Sequence, residues 1–129
     1  MVCRFDAGDH FIAVEAILVG PSRSYLLTMA LDTGASQTVI TPNALAILGF
    51  DLSQPSGLYS VLTANGRISV DEFRLDSLEA LGMDVSPIDV LAMDLPDADY
   101  EGLLGKNFFH DRVLKIDFQN GTIELNLNQ

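Results

Sequence analysis

With 129 residues, 48% of them hydrophobic and only 19% charged, the chain has the bulk for a packed core without disulfide or metal staples and lacks the composition of a disordered segment. Its 18 acidic residues against 7 basic ones give a formal charge of -11, and no Lys/Arg cluster could neutralise a run of phosphates, which argues against nucleic acid as a partner. The apolar runs fall far short of the ~20 residues that cross a bilayer, Met1–Asp6 lacks the charged-then-apolar plan of a signal peptide, and the single Cys3 has neither a disulfide partner nor companions for a zinc site; a cytoplasmic location and a silent thiol are expected.

In chain order, Phe11–Val19 is rich in β-formers and stops at the turn cluster Gly20-Pro21-Ser22, which predicts a strand. A second strand is expected over Tyr25–Leu31, running straight into the polar loop Asp32-Thr33-Gly34-Ala35-Ser36. Thr38-Val39-Ile40 returns to β-branched character, and Thr41-Pro42 supplies an N-cap and first residue for a short helix through Leu48, with Gly49 just beyond its end. Leu58–Phe73 is expected to be a β-hairpin, with Asn65-Gly66 supplying the two positive φ angles of a type I′ turn. Short apolar runs follow, broken at Gly82 and Pro87, with Ile88–Met93 the most strand-like piece, and then a polar, exposed loop over Asp94–Asp99.

Gly102-Leu103-Leu104-Gly105-Lys106-Asn107-Phe108-Phe109 reads as an apolar strand end entering a short helix. Leu114, Ile116 and Phe118 then alternate with polar residues, Asn120-Gly121 turns, and Ile123, Leu125 and Leu127 alternate again, which predicts a second hairpin. There is no repeat, low-complexity tract or linker, so residues 1–129 are expected to form one mostly antiparallel β domain with its core over 11–127.

Chemistry concentrates at Asp32. A carboxylate at the tip of a buried-strand loop, followed by a small hydroxyl and a glycine, can be held by many hydrogen bonds in little space. Alone it does limited chemistry, and an ordinary Asx turn closing a strand uses the same residues. Two carboxylates within about 3 Å cannot both ionise comfortably; one proton is shared, so the pair contains an acid and a base at once. Aspartic proteases are the standard instance of such a pair.

Ala30-Leu31-Asp32-Thr33-Gly34-Ala35-Ser36 resembles the active-site strand and loop of retropepsin-type aspartic proteases. Three further landmarks stand in that family's order: Thr41-Pro42 opening a helix, the Asn-Gly hairpin in the place of a flap, and Leu103-Leu104-Gly105 downstream. The resemblance, over residues 11–127, implies a closed, all-β acid-protease barrel with one or two short helices and a flap hairpin. It implies Asp32 as the catalytic carboxylate, Thr33 bonding across to a partner's loop, and Gly34 admitting substrate backbone, with Ala35 and Ser36 beside them. Thr63, Ala64, Asn65 and Gly66 would form the flap tip over a bound peptide, and Leu103, Leu104 and Gly105 would support the loop from beneath. With one Asp-Thr-Gly per chain, a homodimer is implied, with Ile123–Leu127 suited to a dimer sheet and residues 2–6 a weaker candidate.

Viral relatives commonly carry Asp where this chain has Ser36 and Arg where it has Lys106, so their carboxylate–guanidinium brace is missing. The implied activity is peptide-bond hydrolysis by general acid–base activation of water, with no metal and no cofactor. The competing reading keeps the fold as a catalytically inactive dimerisation or peptide-binding module. His10 and His110 lack Cys or His neighbours at ligand spacing and take structural or solvent roles. The acidic stretch Asp94–Glu101 reads as a solvated loop, with a preference for basic peptides as its functional alternative.

Overall fold

The computed structural model describes residues 1–127; Asn128 and Gln129, at the end of the expected domain, and the Leu127 side chain of the expected hairpin lie outside the described residues. Among the described residues, twelve strands and one helix follow in the order β1 (Val2–Arg4), β2 (Ala13–Val19), β3 (Ser24–Leu31), β4 (Thr38–Ile40), α1 (Pro42–Ile47), β5 (Gly57–Thr63), β6 (Gly66–Leu75), β7 (Ser77–Ala80), β8 (Met83–Val85), β9 (Ile88–Ala92), β10 (Gly102–Leu104), β11 (Arg112–Asp117) and β12 (Thr122–Leu127). None of these elements is a helix long and apolar enough to cross a membrane.

Nine strands form one sheet in the order β5-β6-β9-β4-β10-β3-β2-β7-β8, and β1-β12-β11 form a second. Alternation decides which faces meet. On β2, Val14, Ala16 and Leu18 are buried at 3%, 1% and 0% exposure while Ala13, Glu15 and Ile17 face out, the period-2 pattern of a half-buried strand. Those residues join Phe73, Leu75, Leu78, Val90, Leu104, Phe108, Ile123 and Leu125 in the core. Each of the larger side chains, the valines, leucines, isoleucine and phenylalanines, contributes roughly 1.5–3 kcal/mol by leaving water.

The helix forms as its residues predict. Thr41 is its N-cap, its hydroxyl accepting from Ala44 N–H at 3.3 Å; Pro42 occupies the first turn, and Gly49 follows at φ 101°. Its Ala44 and Leu45 are fully buried against the sheet.

Three expectations need correction. The second helix, expected after Gly105, is a set of turns in which Phe108 N–H donates to the Gly105 carbonyl and Phe109 N–H to the Lys106 carbonyl. So short a segment gains too few backbone bonds to offset the cost of nucleating a helix, and Asn107 is committed to bonds elsewhere. The type I′ turn is not at Asn65-Gly66. β5 and β6 pair up to Thr63↔Gly66, so Ala64-Asn65 form the tip, and only Gly66 has positive φ, at 108°. Both turn residues adopt positive φ at Leu81-Gly82 instead (53° and 77°), where Ala80 pairs with Met83. Phe118, expected to continue a strand, sits in the β11–β12 turn at 67% exposure, with its ring edge-on to Phe5.

Candidate active site

Asp32 is the first residue after β3, and its position follows from the strand lying between the two ends of its loop. β10 pairs parallel to β3 and antiparallel to β4, so residues 32–37 must bridge over the end of β10. Backbone bonds tie the bridge down: Asp32 N–H donates to the Leu104 carbonyl at 3.0 Å, Ala35 N–H to the Asp32 carbonyl at 3.2 Å, and Lys106 N–H to the Ala35 carbonyl at 2.8 Å. Asp32 Oδ1 accepts from Gly34 N–H at 3.0 Å, the bond an ordinary Asx turn also makes, which orients the carboxylate and leaves Oδ2 with no partner among the described residues. Asp32 is half-buried, whereas Thr33 and Gly34 at the apex are exposed.

Leu104 and Gly105 lie against the loop, while Leu103 faces the cleft described below. Leu104 is fully buried, and a Cβ on Gly105 would stand 2.6 Å from the Gln37 carbonyl carbon and oxygen. Only glycine lets the chain leave β10 so close beneath the loop.

Sequence reasoning missed the polar brace that finishes this support. Thr38 is completely buried; its N–H and its hydroxyl both donate to Asn107 Oδ1 at 2.8 Å, and the hydroxyl accepts from Gly105 N–H at 3.1 Å. Asn107 Nδ2 donates to the Asp89 carbonyl at 2.8 Å. A neutral network therefore joins β4, β9 and the exit of β10. Lys106 is exposed, and it lines a shallow groove of about 520 Å³ with Ser36, Asn107 and His110.

A cleft of about 440 Å³ opens between the Asp32 loop and the β5–β6 hairpin. Gly34, Ala35, Ser36 and Gln37 line one side and Tyr59–Leu62 with Arg67 the other, and Val39, Leu91, Met93 and Leu103 complete an apolar lining. Thr63, Ala64, Asn65 and Gly66 form the hairpin tip but do not line the cleft; the middle of the hairpin does. A larger recess of about 670 Å³, lined by Met1, Cys3, Ile17, Leu26 and Glu79 among others, contains no residue of the Asp32 loop. Asp32 is not itself among the lining residues of the smaller cleft, but Gly34 and Ala35 of its loop are, so the smaller cleft is the candidate site.

A family model described as aspartyl protease matches residues 23–108. The chain belongs to that family. The matched interval runs from the start of β3 through the Asp32 loop, α1, the β5–β6 hairpin and β10 to Phe108, so it contains every candidate site residue named above. Among solved structures, the chain is similar to a retropepsin-like aspartic protease from Rickettsia conorii, at 25% identity and a TM-score of 0.73, over 98% of this chain and 89% of that one. It is also similar to the Simian Foamy Virus (mac) protease, at 26% identity and a TM-score of 0.49, over 73% of this chain and 87% of that one. No curated protein matches the chain. The all-β, retropepsin-like aspartic protease fold expected from the Asp-Thr-Gly loop and its landmarks is thus the fold of this chain.

Thr38 and Asn107 gave no signal in the sequence. A threonine in a β-branched run reads as a strand former, and an asparagine before two phenylalanines reads as a turn residue.

Proposed function

We propose that the protein is an aspartic endopeptidase in which two copies of Asp32, one from each chain of a homodimer, activate water for attack on a peptide carbonyl. Asp32 carries this reading. It is a carboxylate held by backbone bonds on a braced loop, with one oxygen engaged and the other free, beside an apolar cleft wide enough for side chains.

One carboxyl of the pair is ionised and the other protonated. The ionised group takes a proton from the water as its oxygen attacks the carbonyl carbon. The protonated group donates to the carbonyl oxygen, and a proton then passes to the leaving amine as the C–N bond breaks. The β5–β6 hairpin, closing over the peptide, would exclude bulk water and strengthen these interactions.

Each chain has one Asp-Thr-Gly, so a dyad needs a second copy, and a twofold axis beside Asp32 would supply it. The exposed apex residues Thr33 and Gly34 suit such a contact. β12 suits it less than its alternation suggests. Thr122–Glu124 are flanked by β1 on one side and β11 on the other, so they have no free edge; beyond Glu124 the strand pairs with β11 alone, and only that last part of β12, with β1 and β11, offers an open edge.

The test is digestion of an unfolded protein at mildly acidic pH by the wild type and by Asp32→Asn, with the mass in solution measured with and without a statine-type transition-state mimic. Cleavage that is blocked by the mimic and lost in Asp32→Asn, in a protein that reaches the dimer mass, is expected. Cleavage surviving Asp32→Asn, or a strictly monomeric protein in acid with the mimic bound, would sink the reading.

A further inference from the structure

Charge is distributed unevenly about the cleft. The chain has 18 Asp and Glu against 7 Lys and Arg, yet no carboxylate lines either the cleft or the groove that shares Ser36 with it. The charged groups that do line them are Arg67 in the cleft, and Lys106 with His110 in the groove. His110 has Asp111 at 3.3 Å to offset it, and Arg74, elsewhere, is taken up by Asp89 at 2.9 Å. Arg67 and Lys106 have no carboxylate within ion-pair distance among the described residues.

Arg67 is also placed to receive a partner. It pairs with Leu62 across the hairpin, and its Nη1 lies 3.4 Å from Ser60 Oγ, a long contact that leaves the planar fork free for a carboxylate. Gln37, on the opposite wall, has its Oε1 shut off from solvent and without a hydrogen-bond partner among the described residues, so it is not available to the ligand and the charged choice falls to Arg67. The acidic loop after β9 contributes nothing here: of that region only Met93 reaches the cleft, and Glu101 is occupied by the Tyr25 hydroxyl at 3.0 Å. A preference for basic peptides, weighed from the sequence, therefore has no carboxylate at the cleft to act through.

We propose that the cleft selects peptides in which an acidic side chain flanks an apolar one, the apolar group entering between Val39, Leu91, Met93 and Leu103 and the carboxylate meeting Arg67. The proposal rests on the assignment of this cleft as the peptide site. The net charge of -11 opposes an acidic ligand at long range, but screening over ~8 Å at physiological salt leaves the choice to the groups inside the cleft. Because Arg67 is exposed, its contribution is modest, a preference of about 5-fold rather than 100-fold.

The experiment uses matched peptides with Glu, Gln or Lys beside one apolar residue, compared as ratios of kcat/KM for the wild type and Arg67→Glu. The wild type is expected to favour Glu over Gln by about 5-fold, and Arg67→Glu to favour Lys over Glu. The same peptides, labelled and titrated against Asp32→Asn protein, give the preference as a ratio of Kd with no need for turnover. This separates the two ideas: a charge preference in binding without any cleavage overturns the peptidase reading and keeps this one. Equal Kd values for Glu and Gln, or a Glu preference that survives Arg67→Glu, overturn it.

Discussion

Asn107 Oδ1 accepts two hydrogen bonds from Thr38, one from the backbone N–H and one from the hydroxyl, each at 2.8 Å. The same hydroxyl accepts from Gly105 N–H, so one buried side chain joins the end of the Asp32 loop to the strand exit beneath it. Thr38→Val keeps the shape and removes the oxygen, leaving Gly105 N–H unpaired in the interior. Denaturant unfolding should show a loss of about 1–3 kcal/mol, and Thr38→Ser should recover most of it. Equal stability of Thr38→Val and wild type would mean that the network does not hold the loop.

Two glycines should fail for different reasons. At Gly105 an alanine Cβ would meet the Gln37 carbonyl at 2.6 Å, so Gly105→Ala must push the Asp32 loop away and is expected to cost about 1–3 kcal/mol and most of the proposed peptidase activity. At Gly66 nothing lies within 4 Å of the added carbon, but φ is 108°, so Gly66→Ala should cost about 1 kcal/mol through backbone strain alone. Thermal melts of both variants beside a peptide-cleavage assay check the contrast. If Gly66→Ala were the more inactivating of the two, the steric account of Gly105 would be wrong.

The sequence was most legible where a local rule and the tertiary fold agree. Thr41, Pro42 and Gly49 each do at the helix ends what their own backbone preferences dictate, and Asp32 falls in the expected strand-to-strand loop. It was least legible where long-range pairing decides. Asn65-Gly66 is a good type I′ pair in isolation, yet the Thr63↔Gly66 register shifts the turn by one residue. Leu81, a poor choice for positive φ, adopts it because the β7–β8 pairing requires a two-residue turn and its side chain is buried, at 7% exposure. β1 is only three residues long and is a strand because β12 offers it an edge. Thr38 and Asn107 lie 69 residues apart, and nothing local marks them as partners.

Tyr25 should titrate late. Its hydroxyl donates to Glu101 at 3.0 Å, and ionisation would lose that bond, face the carboxylate and leave a partly desolvated phenolate, which together raise its pKa above the usual 10.0. Alkaline ultraviolet titration should therefore show a component above the ordinary tyrosine range. Tyr25→Phe should abolish it; persistence of that component in the variant would assign it elsewhere.

Acid should act on stability with two signs. Asp51, which accepts from the Ser53 hydroxyl at 2.7 Å and its N–H at 3.0 Å, and Asp117, which accepts from Asn120 N–H at 3.0 Å, have carboxyls held below their usual range by those bonds. Unfolding releases the bonds and lets both groups bind protons more readily. Their contribution is therefore complete above the ordinary carboxylate pKa of 3.8 and lost as pH falls through the depressed folded values. Glu72 runs the other way: burial, and then the nearby Asp89 carboxylate, raise its pKa above 4.5, so the folded state holds that proton more tightly. Lowering the pH through the window just above 4.5 therefore adds stability at Glu72 before the two aspartates begin to remove it. Glu72→Gln removes the charge that the fold disfavours, so at pH 7 its melting temperature should exceed that of wild type, and the difference should close as acid protonates Glu72 in both the folded and unfolded wild type. A variant less stable than wild type at pH 7, or a difference that does not change with pH, would contradict the direction assigned to Glu72.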